Sequence, residues 1–371
     1  MLTLLLSVAL VSCGGDDSDD SGGGSSSGGS NTITLSATTL DFSGEAGSKT
    51  VTIETNHEWT TSVSDDWVSV DPKSSTSHKA TITISVQKSA EFDAREAKVT
   101  IMSGSSRAYI IVKQAGGDGI PDPNAIVCPI AGYKLVWNDE FNSGSTSLDA
   151  DLWTHEVKSA GWVNNELQNY VNAKTPNGTR VTEIRDGKLR IRAVKEDGKV
   201  YSGRIYGNVR TGWKYCYIEA KIKLPKGKGT WPAFWMMPVN FTSWPSDGEI
   251  DIMEEVGYHP NYVSSSLHAN AHVHTNNTQV THEMYCAGAE DDFHVYAMEW
   301  TAKNITTYVD GQIQLSYNNR GLGHDDWPYD APFYVILNLA WGGTWGGATG
   351  VNENALPATM EVDYVRVFQK K

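Results

Sequence analysis

Gly248-Glu249-Ile250-Asp251-Ile252-Met253-Glu254 places three carboxylates within six residues and separates them only by apolar side chains. An apolar run of this length reads as a strand with at least one buried face. Side chains alternate along a strand, so Glu249 and Asp251 share a face, whereas Glu254, five positions after Glu249, points the other way in a regular strand. One extra residue restores the parity: a β-bulge at Ile252 or Met253 predicts all three acids on one face, with Ile250 buried behind the sheet. A solvated acidic edge does not put Ile250, Ile252 and Met253 between its charges, so the segment predicts a strand in the floor of a site.

The same period continues outward. Leu189 and Ile191 alternate with Lys188, Arg190 and Arg192, and Ile218, Ala220 and Ile222 with Glu219, Lys221 and Lys223, while no stretch holds a helical period over three turns. Residues 131–371 therefore read as a nearly all-β domain of two large stacked antiparallel sheets. Between 33 and 115, shorter alternating segments such as Val51/Ile53, Ile82/Ile84/Val86 and Ile110/Val112 recur with turn residues between them, which predicts a small β-sandwich. Residues 13–32, dense in Gly, Ser and Asp, read as a flexible tether, and 116–130, with Gly116, Gly117 and the Pro121-Asp122-Pro123 run, as a second linker.

The whole chain, 371 residues long, carries 13 Trp, 16 Tyr and a net charge of −14. Aromatic faces stack on sugar rings, and the acidic balance argues against nucleic acid and against sulfated polymers as partners, which leaves a neutral glycan. The opening MLTLLLSVALVSCGG is too short an apolar run to span a bilayer and reads as a signal peptide over 1–12, although no Lys or Arg precedes it. Leu10-Val11-Ser12-Cys13 resembles a bacterial lipobox, which implies an acylated Cys13 and a lipid anchor in the outer membrane. Gly14-Gly15-Asp16-Asp17 is similar to the acidic tag of lipoproteins displayed on the outer surface of glycan-foraging Gram-negative bacteria. The other cysteines, Cys128, Cys216 and Cys286, allow at most one disulfide and exclude a CxxC site.

Carboxylates at this spacing suit hydrolysis of a glycosidic bond. With the bulge in place, Glu249 and Glu254 lie about 13 Å apart at Cα. Two long side chains leaning together close that to the ~5–5.5 Å between the carboxyls of a retaining glycosidase. One acts as nucleophile and the other as acid/base. Asp251 between them hydrogen-bonds the nucleophile and adds a like charge that keeps the acid protonated.

Preceded by Trp231-Pro232-Ala233-Phe234-Trp235-Met236-Met237-Pro238, the acidic strand resembles the signature of glycoside hydrolase family 16. Its form, with two residues before the last Glu, is that of the laminarinase and galactanase branches. The resemblance runs from Trp137-Asn138-Asp139-Glu140-Phe141 to Met360-Glu361-Val362-Asp363-Tyr364-Val365. It implies a bent β-jelly-roll, concanavalin A-like, with a concave cleft; Glu249 as nucleophile, Glu254 as acid/base and Asp251 as assisting carboxylate; and no catalytic part for Glu255. The loop 161–168 resembles the one bordering the donor side, with Trp162 as platform and Asn164 or Asn165 as hydrogen-bond donor. Tyr201-Ser202-Gly203-Arg204 resembles the strand whose Arg contacts the sugar at the cleavage point. Trp231, Trp235, Trp244 and Trp341 fall where the family has cleft-lining residues, and Ser266-Leu267-His268 where it has a His beside the catalytic acids. His268, His272 and His274 have the spacing to share a strand face, but no acidic fourth ligand accompanies them; we read His268 as a sugar or nucleophile contact and the other two as loop residues.

The resemblance further implies a structural calcium on the convex side, held by Glu140, the carbonyl of Gly187 and Asp363, all hard oxygen ligands, and no cofactor for catalysis. In the front segment, Asp66-Trp67-Val68-Ser69-Val70, Ala97-Lys98-Val99-Thr100-Ile101 and Ile111-Val112-Lys113-Gln114 resemble the BACON-type immunoglobulin-like domain. Trp59 and Trp67 there read as core packing and the domain as a stalk. The expectation is a monomeric, surface-anchored endo-β-1,3-glucanase acting on laminarin-like glucans. Mixed-linkage β-1,3/1,4-glucan or galactan on the same fold are the alternatives, together with a non-catalytic surface glycan-binding lipoprotein.

Overall fold

The computed structural model describes residues 31–91, 93–117 and 126–370. The signal segment with Cys13, nearly all of the 13–32 tether and the middle of the 116–130 linker lie outside the described residues. The described chain forms two compact units, 31–117 and 126–370.

The first unit is a sandwich of two sheets. In one, Gly47–Thr55 and Lys79–Val86 run antiparallel between Ile33–Leu35 and Val68–Asp71; in the other, the hairpin Arg95–Ser103/Ser106–Gln114 is flanked by Trp59–Val63 and Thr39–Phe42. Alternation sends Val51, Ile53, Ile82, Ile84, Val99, Ile101, Ile110 and Val112 into the space between the sheets, all fully buried. Trp59 closes this core and donates its indole N–H to the carbonyl of Ser77 at 3.0 Å, and Trp67 lies buried beneath the Arg95 guanidinium at 4.2 Å. Both tryptophans are core residues.

The second unit stacks two sheets. A ten-stranded sheet is built on the long strand Ala358–Lys370, which pairs with Tyr133–Asp139, Lys188–Glu196 and Cys216–Lys223. Facing it is a seven-stranded sheet that we number in chain order: β1 (Trp153–His155), β2 (Arg204–Gly207), β3 (Thr230–Pro238), β4 (Glu249–Glu254), β5 (Tyr262–His268), β6 (Val280–Tyr285) and β7 (Phe333–Trp341). In space they run β1-β2-β7-β3-β4-β5-β6, antiparallel throughout, so the acidic strand β4 is interior.

Leu189, Ile191, Ile218, Ile222, Met360 and Val362 from the ten-stranded sheet meet Phe234, Met236, Ile250, Leu267, Leu337 and Leu339 from the other, all fully buried. Each such side chain contributes roughly 1.5–3 kcal/mol by leaving water. This fixes which face of β2–β7 is free: the residues between the core ones point away from the ten-stranded sheet. Cys128, Cys216 and Cys286 are buried and unpaired, so no disulfide forms among them.

Candidate active site

The bulge sits at Ile252. Against β3, Asp251 lies opposite Trp235 and Met253 opposite Phe234, with Ile252 inserted between them; against β5, Asp251 faces Ser266 and Glu254 faces Ser264, again one residue longer on β4. Ile250, Ile252 and Met253 are fully buried on the core side, and Glu249, Asp251 and Glu254 emerge together on the other face. The partner residues of Glu249 and Glu254 on β5, His268 and Ser264, are four apart, which puts the two Cα atoms about 13 Å from each other.

Each outer acid is held by an indole. The Trp244 Nε1–H donates to Glu249 Oε2 at 2.9 Å and the Trp231 Nε1–H to Glu254 Oε1 at 2.8 Å. Asp251, only 3% exposed, hydrogen-bonds Glu249 and lies 3.1 Å from His268 Nε2. One carboxylate oxygen of Glu249, one of Asp251 and a ring nitrogen of His268 all fall within 4.8 Å of one another.

Burial lifts all three carboxyls far above their ordinary range. For Glu249, pushed up to about 8, the Asp251 charge adds to the burial, while His268, the Trp244 N–H and Arg204 pull it back down. Asp251 is also pushed up to about 8 by burial, opposed by its hydrogen bond with Glu249. Glu254 is raised by burial, then by Asp251, with Glu249 adding further; its main relief is the Trp231 N–H. The cluster does not carry three negative charges at neutral pH. Glu249, beside His268, Arg204 and an indole donor, takes up charge in company with Asp251, and Glu254 keeps its proton. Environments that separate the ionisation of two facing acids make one a nucleophile and the other a proton donor.

The strands on the β3 side complete the floor. Arg204 on β2, 8% exposed, forms an ion pair with Glu156 at 2.6 Å, and its guanidinium lies 4.7 Å from the Trp235 ring and 5.2 Å from the Trp162 ring. Trp235 donates its indole N–H to Asn338 Oδ1 on β7 at 2.7 Å. Floor residues such as Asp251, Arg204, His268 and Asn338 are buried, whereas Trp162 and Trp244 at the margins are 42% and 37% exposed, so the face is recessed between aromatic walls. Asn164 and Asn165 lie exposed on the same border loop in left-handed conformation, φ 52° and 53°, which Asn tolerates.

One sequence expectation is corrected. Trp341 is 1% exposed and belongs to the core, because on β7 the odd-numbered residues from Phe333 to Trp341 face the ten-stranded sheet while Asn338 and Ala340 face the site. A Cβ on Gly229 would come within 3.0 Å of its ring, so no sugar reaches it. The wall residue that the sequence reading missed is Trp345. It stands edge-on to Trp231 at 5.4 Å, and Gly346 lets its loop lie directly against Trp231, where a Cβ would come within 2.9 Å. The reading also missed Glu166, a buried carboxylate that accepts from Gln168, Tyr170 and Asn164 beneath the Asn164–Asn165 turn. Its sequence signal was faint, since a lone Glu in a loop normally reads as solvated.

His272 and His274 do not join His268 around a metal. His272 Nε2 meets Asp326 Oδ1 and the Tyr317 hydroxyl, both at 2.8 Å, and His274 is exposed, packed 5.4 Å from Trp244. The calcium set does not fit a cation as arranged either. Arg366 takes both oxygens of Glu140 at 2.9 and 2.8 Å, and Asp363 is paired with Lys221 at 2.8 Å, so both carboxylates of the set are already engaged by basic side chains.

The family model for glycosyl hydrolases family 16 matches residues 169–366, and the BACON model, an N-terminal binding-domain family, matches residues 57–115. A beta-glucanase of Rhodothermus marinus is 40% identical over 249 residues, 64% of this chain and 85% of that protein. The solved laminarinase from Rhodothermus marinus superposes with a TM-score of 0.60 at 38% identity, covering 64% of this chain and 97% of that one. A variant of SCLam, a non-specific endo-beta-1,3(4)-glucanase crystallised with a glucan oligosaccharide in its active site, gives a TM-score of 0.62 at 39% identity, covering 66% and 97%.

Proposed function

The chain belongs to glycosyl hydrolases family 16 and is a glycoside hydrolase of the β-glucanase kind; from that premise we propose that it cleaves internal β-1,3 bonds of laminarin-like glucans with retention of configuration. The observation that carries this reading is the bulged strand, which brings Glu249 and Glu254 to one face, each fixed by a tryptophan N–H, with Asp251 between them.

Glu249 attacks the anomeric carbon through the oxygen that Trp244 leaves free. Glu254 donates its proton to the bridging oxygen as the bond from that oxygen to the anomeric carbon breaks, and a glycosyl ester on Glu249 remains. Ester formation removes the Glu249 charge that was raising Glu254, so Glu254, now ionised, takes a proton from water. That water attacks the anomeric carbon from the face the leaving group vacated, and Glu249 departs as carboxylate. Asp251 and His268 hold Glu249 in place throughout. The chemistry asks for no cofactor.

An aromatic-walled face whose floor arginine, Arg204, is already neutralised by Glu156 suits a neutral polymer and disfavours a sulfated one. Display at the cell surface through an acylated Cys13 remains part of the proposal and rests on the sequence alone. Incubation of the full chain with laminarin, barley glucan and agarose, followed by assay of new reducing ends, tests the reading: release is expected first from laminarin, then from barley glucan. No release from any of the three would refute it and leave the glycan-binding alternative.

A further inference from the structure

We propose that Tyr285, braced by Tyr262, is the stacking platform for the glucan on the leaving-group side of the cleaved bond. This inference rests on the glucanase reading above and extends it to a part of the face that the reading does not use.

The register supplies the placement. On β5, His268, Ser266 and Ser264 lie opposite Glu249, Asp251 and Glu254; on β6, Thr281, Glu283 and Tyr285 lie opposite Ser266, Ser264 and Tyr262. Directly opposed residues share a face, and so do residues two apart on a strand. Tyr262 and Tyr285 therefore stand on the face of the three acids, across β4 from Trp235, Arg204 and Trp162. Val280 and Met284, the alternate residues of β6, pack on the core instead.

The chemistry of this half differs from the other. Next to Glu254 and Asp251 the floor is made of small side chains, Ser264 and Ser266, each 7% exposed. Tyr262 precedes Ser264 by two residues, about 7 Å along the strand and so roughly one sugar unit further from Asp251. Tyr285 is 60% exposed and Tyr262 37%, with centroids 5.2 Å apart. His259 lies flat on Tyr262 at 4.0 Å and 14° and pairs with Glu283 at 3.4 Å. One face of Tyr262 is thus occupied, and Tyr285 is the open ring held in position by it. A fixed, water-exposed aromatic ledge continuous with a catalytic strand marks a contact surface. Its occupant is set by the row it continues: Glu254, the acid that protonates the leaving oxygen, is the one opposite Ser264, so the ring over the serines and the ring on Tyr285 belong to the departing segment. The apolar face of a β-glucosyl unit covers the tyrosine while Glu283 accepts from its hydroxyls.

The test compares the full chain with Tyr285→Ala and Tyr285→Phe on two substrates, laminarihexaose and an aryl β-laminaribioside, whose leaving group is not a sugar chain. For Tyr285→Ala the ratio of kcat/KM on the hexasaccharide to that on the aryl glycoside is expected to fall about tenfold, with the cleaved bond moving along the hexasaccharide, and Tyr285→Phe is expected to restore both. An unchanged ratio and product pattern, or an equal fall on both substrates, overturns the proposal. If the wild type turns over no glucan at all, the glucanase reading fails separately, and calorimetric titration with laminarihexaose then decides: weaker binding by Tyr285→Ala supports the platform, equal affinity or no binding by either form overturns it.

Discussion

Replacing Glu249 by Gln is expected to stabilise the fold, and only at neutral to alkaline pH. Glu249 is pushed from 4.5 up to about 8 by burial and by Asp251. A carboxyl whose folded pKa is raised holds an extra proton in the folded state across that window, so stability falls as pH rises from 4.5 towards 8 and the loss is complete above it. At 1.36 kcal/mol per pKa unit the whole window is worth ~5 kcal/mol. The opening of the groove to solvent and the sharing of protons with Asp251 reduce this to about 2 kcal/mol for Glu249 alone. A domain of this size gains about 4–8 °C in Tm from such a change. Gln fills the same volume and keeps an acceptor for the Trp244 N–H, so packing is unaltered. Differential scanning calorimetry of both forms between pH 4.5 and 9, following the transition of the 126–370 unit, should show coincident melts at pH 4.5 and a gap that widens to that size by pH 9, in a variant without turnover. A pH-independent gap, or a variant less stable at pH 9, would refute the assignment of buried, mutually repelling acids.

The alkaline limb of kcat/KM should move in opposite directions for two neighbours of Glu254. Trp231→Phe removes a donor that favours its charged form and shifts the limb to higher pH, whereas Asp251→Asn removes a repelling charge and shifts it to lower pH; like-signed shifts in pH–rate profiles would contradict the roles of Trp231 as donor and Asp251 as repelling charge. Trp341→Ala should cost stability, about 3–5 kcal/mol by denaturant titration, while Trp345→Ala should leave the melt nearly unchanged and raise KM for laminarin several-fold; the reverse pattern would return Trp341 to the groove. Deleting Ile252 removes the extra residue yet leaves Glu254 four positions after Glu249, so a straight β4 still turns all three acids to one face; the soluble deletion variant should keep release of reducing ends from laminarin, and its complete loss would rule out the bulge as a device that only restores parity.

Much of the architecture could be read because strand alternation is a short-range signal. Val51/Ile53, Ile82/Ile84 and Ile218/Ile222 announce buried faces without knowledge of their partners, and the count from Glu249 to Glu254 demands an irregularity at Ile252 or Met253 if the acids are to meet. What alternation does not give is which face of a strand flanked by apolar residues on both sides looks into the groove. Trp341 shows the consequence: β7 is buried along almost its whole length, so composition does not separate Trp341 from Ala340, and only its pairing with β3 assigns the faces. Trp345, four residues later in a Gly-rich loop, is placed by a backbone turn whose positive-φ glycines, Gly342 and Gly343, leave no periodic trace. Pairing of acids with bases at long sequence separation is equally invisible. Glu140 meets Arg366, and Asp363 meets Lys221, across strands far apart in the chain, so two residues that suit a calcium in isolation are met by cations in the fold. The Tyr262–Tyr285 pair depends likewise on the β5–β6 register.

Everything in the proposed chemistry turns on the kinked β4 bringing Glu249 and Glu254 to opposite sides of one linkage at the separation of a double displacement. Proton NMR of the anomeric region during the first minutes of laminari-oligosaccharide cleavage measures it directly. The β-anomer of the new reducing end should accumulate first and the α-anomer only afterwards by mutarotation. Initial appearance of the α-anomer would mean that water, not Glu249, attacks the sugar, and that the two carboxyls stand too far apart for a glycosyl-ester intermediate to form.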